Sequence, residues 1–171
     1  MRDLIRLVPA ILVVLTLTLI AAAPWGIGAH SRFVLPLLPL LAIVHLAVRR
    51  PETMPAGLVF AAGLMLDVLT HGPLGYWPLV FLAGHLAALN LSQRSRETMP
   101  RRMVWVAAVL AVVVLVEWLV SSLYFMQPAA WKPIAGAALI AVVAYPLLAL
   151  ILDGLSLQDR GRRPLQLERR S

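Results

Sequence analysis

The sequence predicts an all-α integral membrane protein with six transmembrane helices and both termini in the cytoplasm, and three observations lead there. The 171 residues are 61% hydrophobic and only 13% charged, with a mean hydropathy of +0.86, whereas an ordinary soluble domain carries about 25% charged residues. Charge-poor apolar runs alternate with short polar breaks at 7–23, 33–48, 54–71, 76–91, 103–126 and 134–152. Thirteen of the fifteen Arg and Lys residues fall before run one, between two and three, between four and five, or after six, leaving only Arg32 and Lys132 on the other side. The positive-inside rule converts that division into cytoplasmic termini. Losing any one crossing would collapse the separation of charge.

A spanning helix needs about 17–25 apolar residues. Runs one, five and six meet this outright, and the other three must borrow length from their flanks. The first run follows Arg2 and Arg6 and ends on Ala21-Ala22-Ala23, like a cleavable signal peptide. Pro24 directly after the small residues argues for a retained helix instead. The second run carries Pro36 in its first turn and Pro39 further in, and the sixth carries Pro146. Pro39 and Pro146 should bend their helices by removing interior hydrogen bonds. Thr70 and His71 extend the third run to a break, Gly72-Pro73-Leu74-Gly75, that has no charge and can sit at or just below the membrane surface if protein covers its backbone. Helices three and four therefore read as one tight hairpin. Small residues four apart, Gly57/Ala61, Gly84/Ala88, Ala107/Ala111 and Ala137/Ala141, suggest close helix packing. The domain plan is a six-helix transmembrane domain at 1–153 and a basic cytoplasmic tail at 154–171, where leucines mix with five arginines counted from Arg160. That tail reads as solvated, or as a strip lying on anionic lipid or a partner.

Several function classes are excluded or disfavoured. With no cysteine there are no disulfides, iron–sulfur clusters or Cys-ligated zinc. The pI near 11.3 records topology and not a nucleic-acid surface, because the arginines are divided among membrane-flanking segments. His30, His45, His71 and His85 are scattered, and no metalloprotease, nucleophile-elbow or phosphate-loop pattern occurs. No enzyme, metal site or cofactor is expected. His85, deep in helix four, reads as a neutral ring bonded to a neighbouring helix, since no carboxylate lies at helical spacing from it.

The informative residues are two acids inside apolar runs. An ionised side chain near the bilayer centre costs roughly 2.5–3.5 kcal/mol and usually faces protein or water. Asp67 lies in 63–79, GLMLDVLTHGPLGYWPL, four residues after Gly63 and four before His71. A contact with His71, on the same helix face, or with backbone N–H groups near the turn would satisfy it. Glu117 lies about 21 Å along helix five from Met103. Both acids fall in the outer part of the membrane, which permits either a shared polar cluster of Asp67, His71 and Glu117 or two separately satisfied groups.

Gly63, Leu64 and Asp67, followed by Gly72-Pro73-Leu74-Gly75 and an apolar helix, resemble the most recognisable motif of the MreD family, small rod shape-determining proteins of bacterial inner membranes. Length, six runs and the lack of extramembrane domains agree with it. The resemblance implies a non-enzymatic part of the cell-wall elongation complex that binds MreC and is linked through it to MreB filaments, the polymerase RodA and a penicillin-binding transpeptidase. It also implies a fold like the substrate-binding subunits of energy-coupling-factor transporters. A vitamin-binding subunit of such a transporter is the alternative; its frequent Ala-x-x-x-Ala pattern is absent from the first helix. A small ion or proton carrier is weaker still, because few ionisable groups line up across the membrane.

Overall fold

Backbone this deeply surrounded by apolar side chains is best satisfied within its own segment, as α-helix. The computed structural model, which describes residues 2–24, 31–92 and 99–161, is helical with no strand among those residues. The elements are α1 (Arg2–Ala22), a one-turn α2 (Ser31–Val34), α3 (Leu37–Arg49), a 3-10 turn at Pro51–Thr53, α4 (Ala56–Thr70), α5 (Tyr76–Ser92), α6 (Met99–Tyr124) and α7 (Trp131–Gly161). Two helical stretches, Pro100–Tyr124 and Trp131–Gly154, are long and apolar enough to cross a membrane, and Leu7–Ala22, Leu37–Arg49 and Ala56–Thr70 are shorter apolar helices.

The central element is α3. Its residues Leu40, Leu41, Ala42, Ile43 and Val44 are at most 1% exposed, so it is enclosed on all sides. It touches α1, α5 and α7, while neighbours α1, α4, α5, α6 and α7 pack in that order around it. The outer helix faces are apolar as well: Leu12, Leu15 and Leu19 on α1, and Leu139, Val143, Leu147 and Leu150 on α7, are exposed. An apolar core inside an apolar exterior is the arrangement lipid requires and water penalises.

Prolines set one boundary differently from the sequence expectation. The second run does not bend at Pro39; it breaks at Leu35 and Pro36, between α2 and α3. Pro36 is the N-cap of α3, which puts Pro39 in the first turn, where its missing N–H has no intrahelical acceptor to lose. Pro9 and Pro146 lie inside α1 and α7. At its far end α7 continues past 152 to Gly161, so helix extends into the segment expected as tail; 162–171 lie outside the described residues, as do His30 and the loop holding Arg94 and Arg96.

Small residues meet helix neighbours at Gly84, Ala88, Ala137 and Ala141, all buried. A Cβ on Gly84 would stand 2.7 Å from Leu40 Cδ1 and 3.1 Å from Val113 Cγ2. The Gly57/Ala61 pair is different. Both residues are exposed and nothing lies within 4 Å of a Cβ built at Gly57, because α4 turns this face outward. Ala111 is also exposed, so spacing alone over-counts packing contacts.

Among the described side chains, charge collects at the two ends of the bundle. Arg49 and Arg102 reach Asp153 near one end, whereas Lys132 opens α7, 21 residues and about 30 Å away along that helix. That span matches the roughly 30 Å hydrocarbon thickness of a bilayer.

Candidate functional site

The hairpin between α4 and α5 holds two of the three residues with positive φ among the described residues, His71 and Gly75. α4 closes with His71 in the left-handed region (φ 55°, ψ 32°). The Gly72 N–H donates to the Asp67 carbonyl (3.0 Å) and the His71 N–H to that of Val68 (3.4 Å), the paired bonds of a Schellman cap. Glycine usually holds this left-handed position; here it is histidine, one of the residue types that tolerate it. Gly75, at φ +96°, needs to be glycine, since a Cβ there would be strained.

The first turn of α5 then presents N–H groups that no residue of its own helix can accept. Asp67 accepts two of them from one turn inside α4. Its Oδ2 takes the Gly75 N–H (2.7 Å) and its Oδ1 the Trp77 N–H (3.1 Å), while the Tyr76 N–H donates to the Pro73 carbonyl at 3.2 Å. The next residue is Pro78, which has no N–H, and the Leu79 N–H donates to the Gly75 carbonyl at 3.2 Å as the helix begins. Every donor of that turn is thereby accounted for. The negative charge also meets the positive end of the α5 dipole, which is why a carboxylate 0% exposed is retained in an apolar helix. Asp67 serves as an N-cap supplied by a different helix.

Gly63 completes the arrangement one turn earlier on the same α4 face. A Cβ there would lie 2.5 Å from Pro78 N, 2.6 Å from Pro78 Cα and 2.8 Å from the Trp77 carbonyl carbon. These are backbone atoms and cannot swing aside. Gly63 thus lets the two backbones touch, and that approach brings the α5 N-terminus within reach of Asp67. Gly72 is less constrained, with only ordinary contacts around its Cβ position, and Leu74 is 74% exposed.

Glu117 on α6 is 1% exposed. Its neighbour is Tyr76, whose hydroxyl faces the Glu117 carboxylate and shares a 2.9 Å hydrogen bond with Ser121 Oγ. Tyr76 therefore lies between Gly75 and Trp77, the two residues Asp67 holds, and meets Glu117 through its side chain. The His71 side chain is exposed and makes no hydrogen bond to Asp67 among the described residues. His85 is 2% exposed and its Nδ1 has no partner there; the bond to a neighbouring helix expected of it is not made at that atom.

A second polar group lies at the opposite end, unremarked by sequence reasoning. His45 Nδ1 pairs with the Tyr145 hydroxyl at 3.2 Å and Nε2 with Asp153 Oδ1 at 3.2 Å. Arg49 Nη2 donates to Asp153 Oδ2 at 2.8 Å, and Arg102 Nη1 stands 3.7 Å from the same oxygen. Three helices, α3, α6 and α7, are tied there by one carboxylate. The available signal was Asp153 itself, an acid at a helix end expected to be crowded with arginines, though its partners lie up to 108 positions away.

These features define a helical membrane protein whose distinctive polar group locks a hairpin, with no three His, Asp or Glu side chains converging as a metal site among the described residues. Comparison with known families identifies which one. The family described as rod shape-determining protein MreD matches residues 1–153, and the chain belongs to that family. It is a shape-determining family of membrane proteins and not a known enzyme family. No curated protein and no solved structure matches the chain.

Proposed function

We propose that this protein is a non-enzymatic, multi-pass component of the bacterial inner membrane that works in the cell-wall elongation complex. In this reading it binds MreC and helps couple MreB filaments to peptidoglycan synthesis by RodA and a penicillin-binding transpeptidase. The observation that carries the reading is family membership over 1–153. Six crossings with cytoplasmic termini, in an arrangement like the substrate-binding subunits of energy-coupling-factor transporters, belong to the same proposal. Their support is the set of six helices of at least 13 residues and the placement of the arginines.

The hairpin's part in this is mechanical. Gly63 brings α4 and α5 together, Asp67 fixes the start of α5, and the locked pair holds the outward apolar side chains Phe60, Leu64 and Val68 of α4 at a set angle for a transmembrane partner. A lipid-embedded protein with little mass outside the membrane meets its partners chiefly through such faces.

The test is co-purification of MreC with tagged wild-type and Asp67→Ala protein from gently solubilised membranes, at matched protein level. Loss of MreC from the variant supports the reading. Full retention of MreC, with the variant as stable as wild type, refutes the hairpin's role. Because the chain lacks cysteine, single cysteines at Arg49 and Lys132 test topology directly. Labelling of the Lys132→Cys protein alone by an impermeant maleimide added to intact spheroplasts is the expected result.

A further inference from the structure

A cleft of about 380 Å³ lies between α2 and the first three turns of α7, lined by Val34, Lys132, Pro133, Gly136, Ala137 and Ile140. Its volume is within the range of small-ligand pockets. The room comes from α7 itself. Ala137 is small and buried, and nothing lies within 4 Å of a Cβ built at Gly136. Apart from Lys132, the lining residues are apolar.

Lys132 is exposed and forms no ion pair among the described residues. The acids of that half of the bundle, Asp67 and Glu117, are buried and engaged at the hairpin and at Tyr76. A lysine at the end of an apolar helix keeps its ammonium at the membrane interface while its methylene stem lies along apolar surface. Below it, Ile140 belongs both to the cleft and to an exposed apolar stripe, Ile140, Val143, Leu147 and Ile151, whose spacing of three or four residues sets it on one side of α7. Lys132 and Gly136 continue that spacing upward. From Lys132 to Val143 is 11 residues, about 16 Å of helix, close to the depth of one leaflet, half of the roughly 30 Å hydrocarbon thickness. Cation, cleft and stripe thus follow one another as the head group and chain of a lipid do.

We propose that this cleft holds one phospholipid of net negative charge, its head group against Lys132 and the start of one acyl chain between Val34, Gly136 and Ile140, continuing along Val143 and Leu147. Charge complementarity selects the head, because the Lys132 ammonium has no carboxylate to balance it among the described residues. The apolar stripe selects a lipid over a soluble anion, because it extends the apolar lining of the cleft along the outward face of α7. The inference stands independently of MreC.

The experiment uses the full chain in mixed micelles holding equal amounts of phosphatidylglycerol and phosphatidylcholine with identical acyl chains, read by native mass spectrometry. Both lipids carry a phosphate, which choline neutralises in one and glycerol leaves charged in the other. The attraction of one lysine for an anionic membrane surface corresponds to a factor of about five, so one retained phosphatidylglycerol in about fivefold excess over phosphatidylcholine is the expected result. Lys132→Gln, which keeps the length and removes the charge, should erase the excess. Gly136→Leu should fill the cleft and lower the retention of both lipids; leucine is the better helix former and has open space on that side, so the fold is kept. Arg49→Ala, at the opposite end of the bundle, should change neither result. Equal retention of the two lipids by the wild-type protein overturns the proposal, as does an excess that survives both α7 substitutions, or one that is lost with Arg49→Ala and kept with Lys132→Gln.

Discussion

Replacing Asp67 by alanine removes both acceptors that cap α5 and leaves the partly buried Gly75 N–H and the buried Trp77 N–H without partners. Hydrogen bonds to a charged group contribute about 1.5–3 kcal/mol each. The two bonds, at 2.7 and 3.1 Å, therefore set an expected loss of about 3–6 kcal/mol. Asparagine separates the contributions. It keeps one carbonyl acceptor but turns an NH₂ group toward the other N–H, so its loss should be substantial yet smaller than alanine's. The assay is reversible unfolding in mixed micelles by titrated denaturing detergent, followed by tryptophan fluorescence and far-UV circular dichroism. The reasoning predicts the order wild type, Asp67→Asn, Asp67→Ala in falling stability. An alanine variant within about 1 kcal/mol of wild type, the range of ordinary point substitutions, would refute the claim that Asp67 caps α5.

Other substitutions test neighbouring parts of the argument. Gly63→Ala should cost about 1–3 kcal/mol, the usual range for overpacking, because its Cβ would meet the Pro78 backbone; Gly57→Ala, with open space around it, should be neutral or slightly stabilising in the same unfolding assay. His71→Gly should raise the midpoint, gaining on the order of 1 kcal/mol from relief of the left-handed conformation. At the other end, Arg49→Ala should cost under about 1 kcal/mol because that ion pair is partly exposed. Asp153→Ala should cost more, about 1–3 kcal/mol, since it strips a partner from buried His45. Comparing the two Tm values checks that order.

The helical class was legible because it depends on local composition: apolar runs too long and too poor in charge for a soluble surface must satisfy their backbone internally. Legibility ended where one helix meets another. Pro36 and Pro39 were both visible as disruptors, yet which of them ends up at a helix start depends on where the break falls, and moving it to Leu35 and Pro36 leaves Pro39 harmless in the first turn of α3. The Gly57/Ala61 and Gly84/Ala88 pairs have identical spacing. Only the second is buried, because spacing specifies a face and not what the face meets.

The site divides in the same way. The oddity of Asp67 in an apolar helix and its nearness to a Gly-Pro-Leu-Gly turn could be read directly, as could the expectation that His71 or backbone N–H groups would satisfy it. That the donors are Gly75 and Trp77, with His71 turned outward as the left-handed cap, follows from the angle at which α5 returns. The contact of Gly63 with Pro78 permits that angle. Glu117 could be recognised as a buried acid, but its approach to Tyr76 requires α5 and α6 to pack in one particular register. His45 and Asp153 stand 108 positions apart, a distance at which no local pattern links them. The sequence by itself determined that the apolar runs are helical, that their surface suits lipid and which residues are too polar to be left alone. Tertiary structure alone decided their partners, because a hydrogen bond made across helices depends on crossing angle and register, and both are set by the packing of the whole bundle.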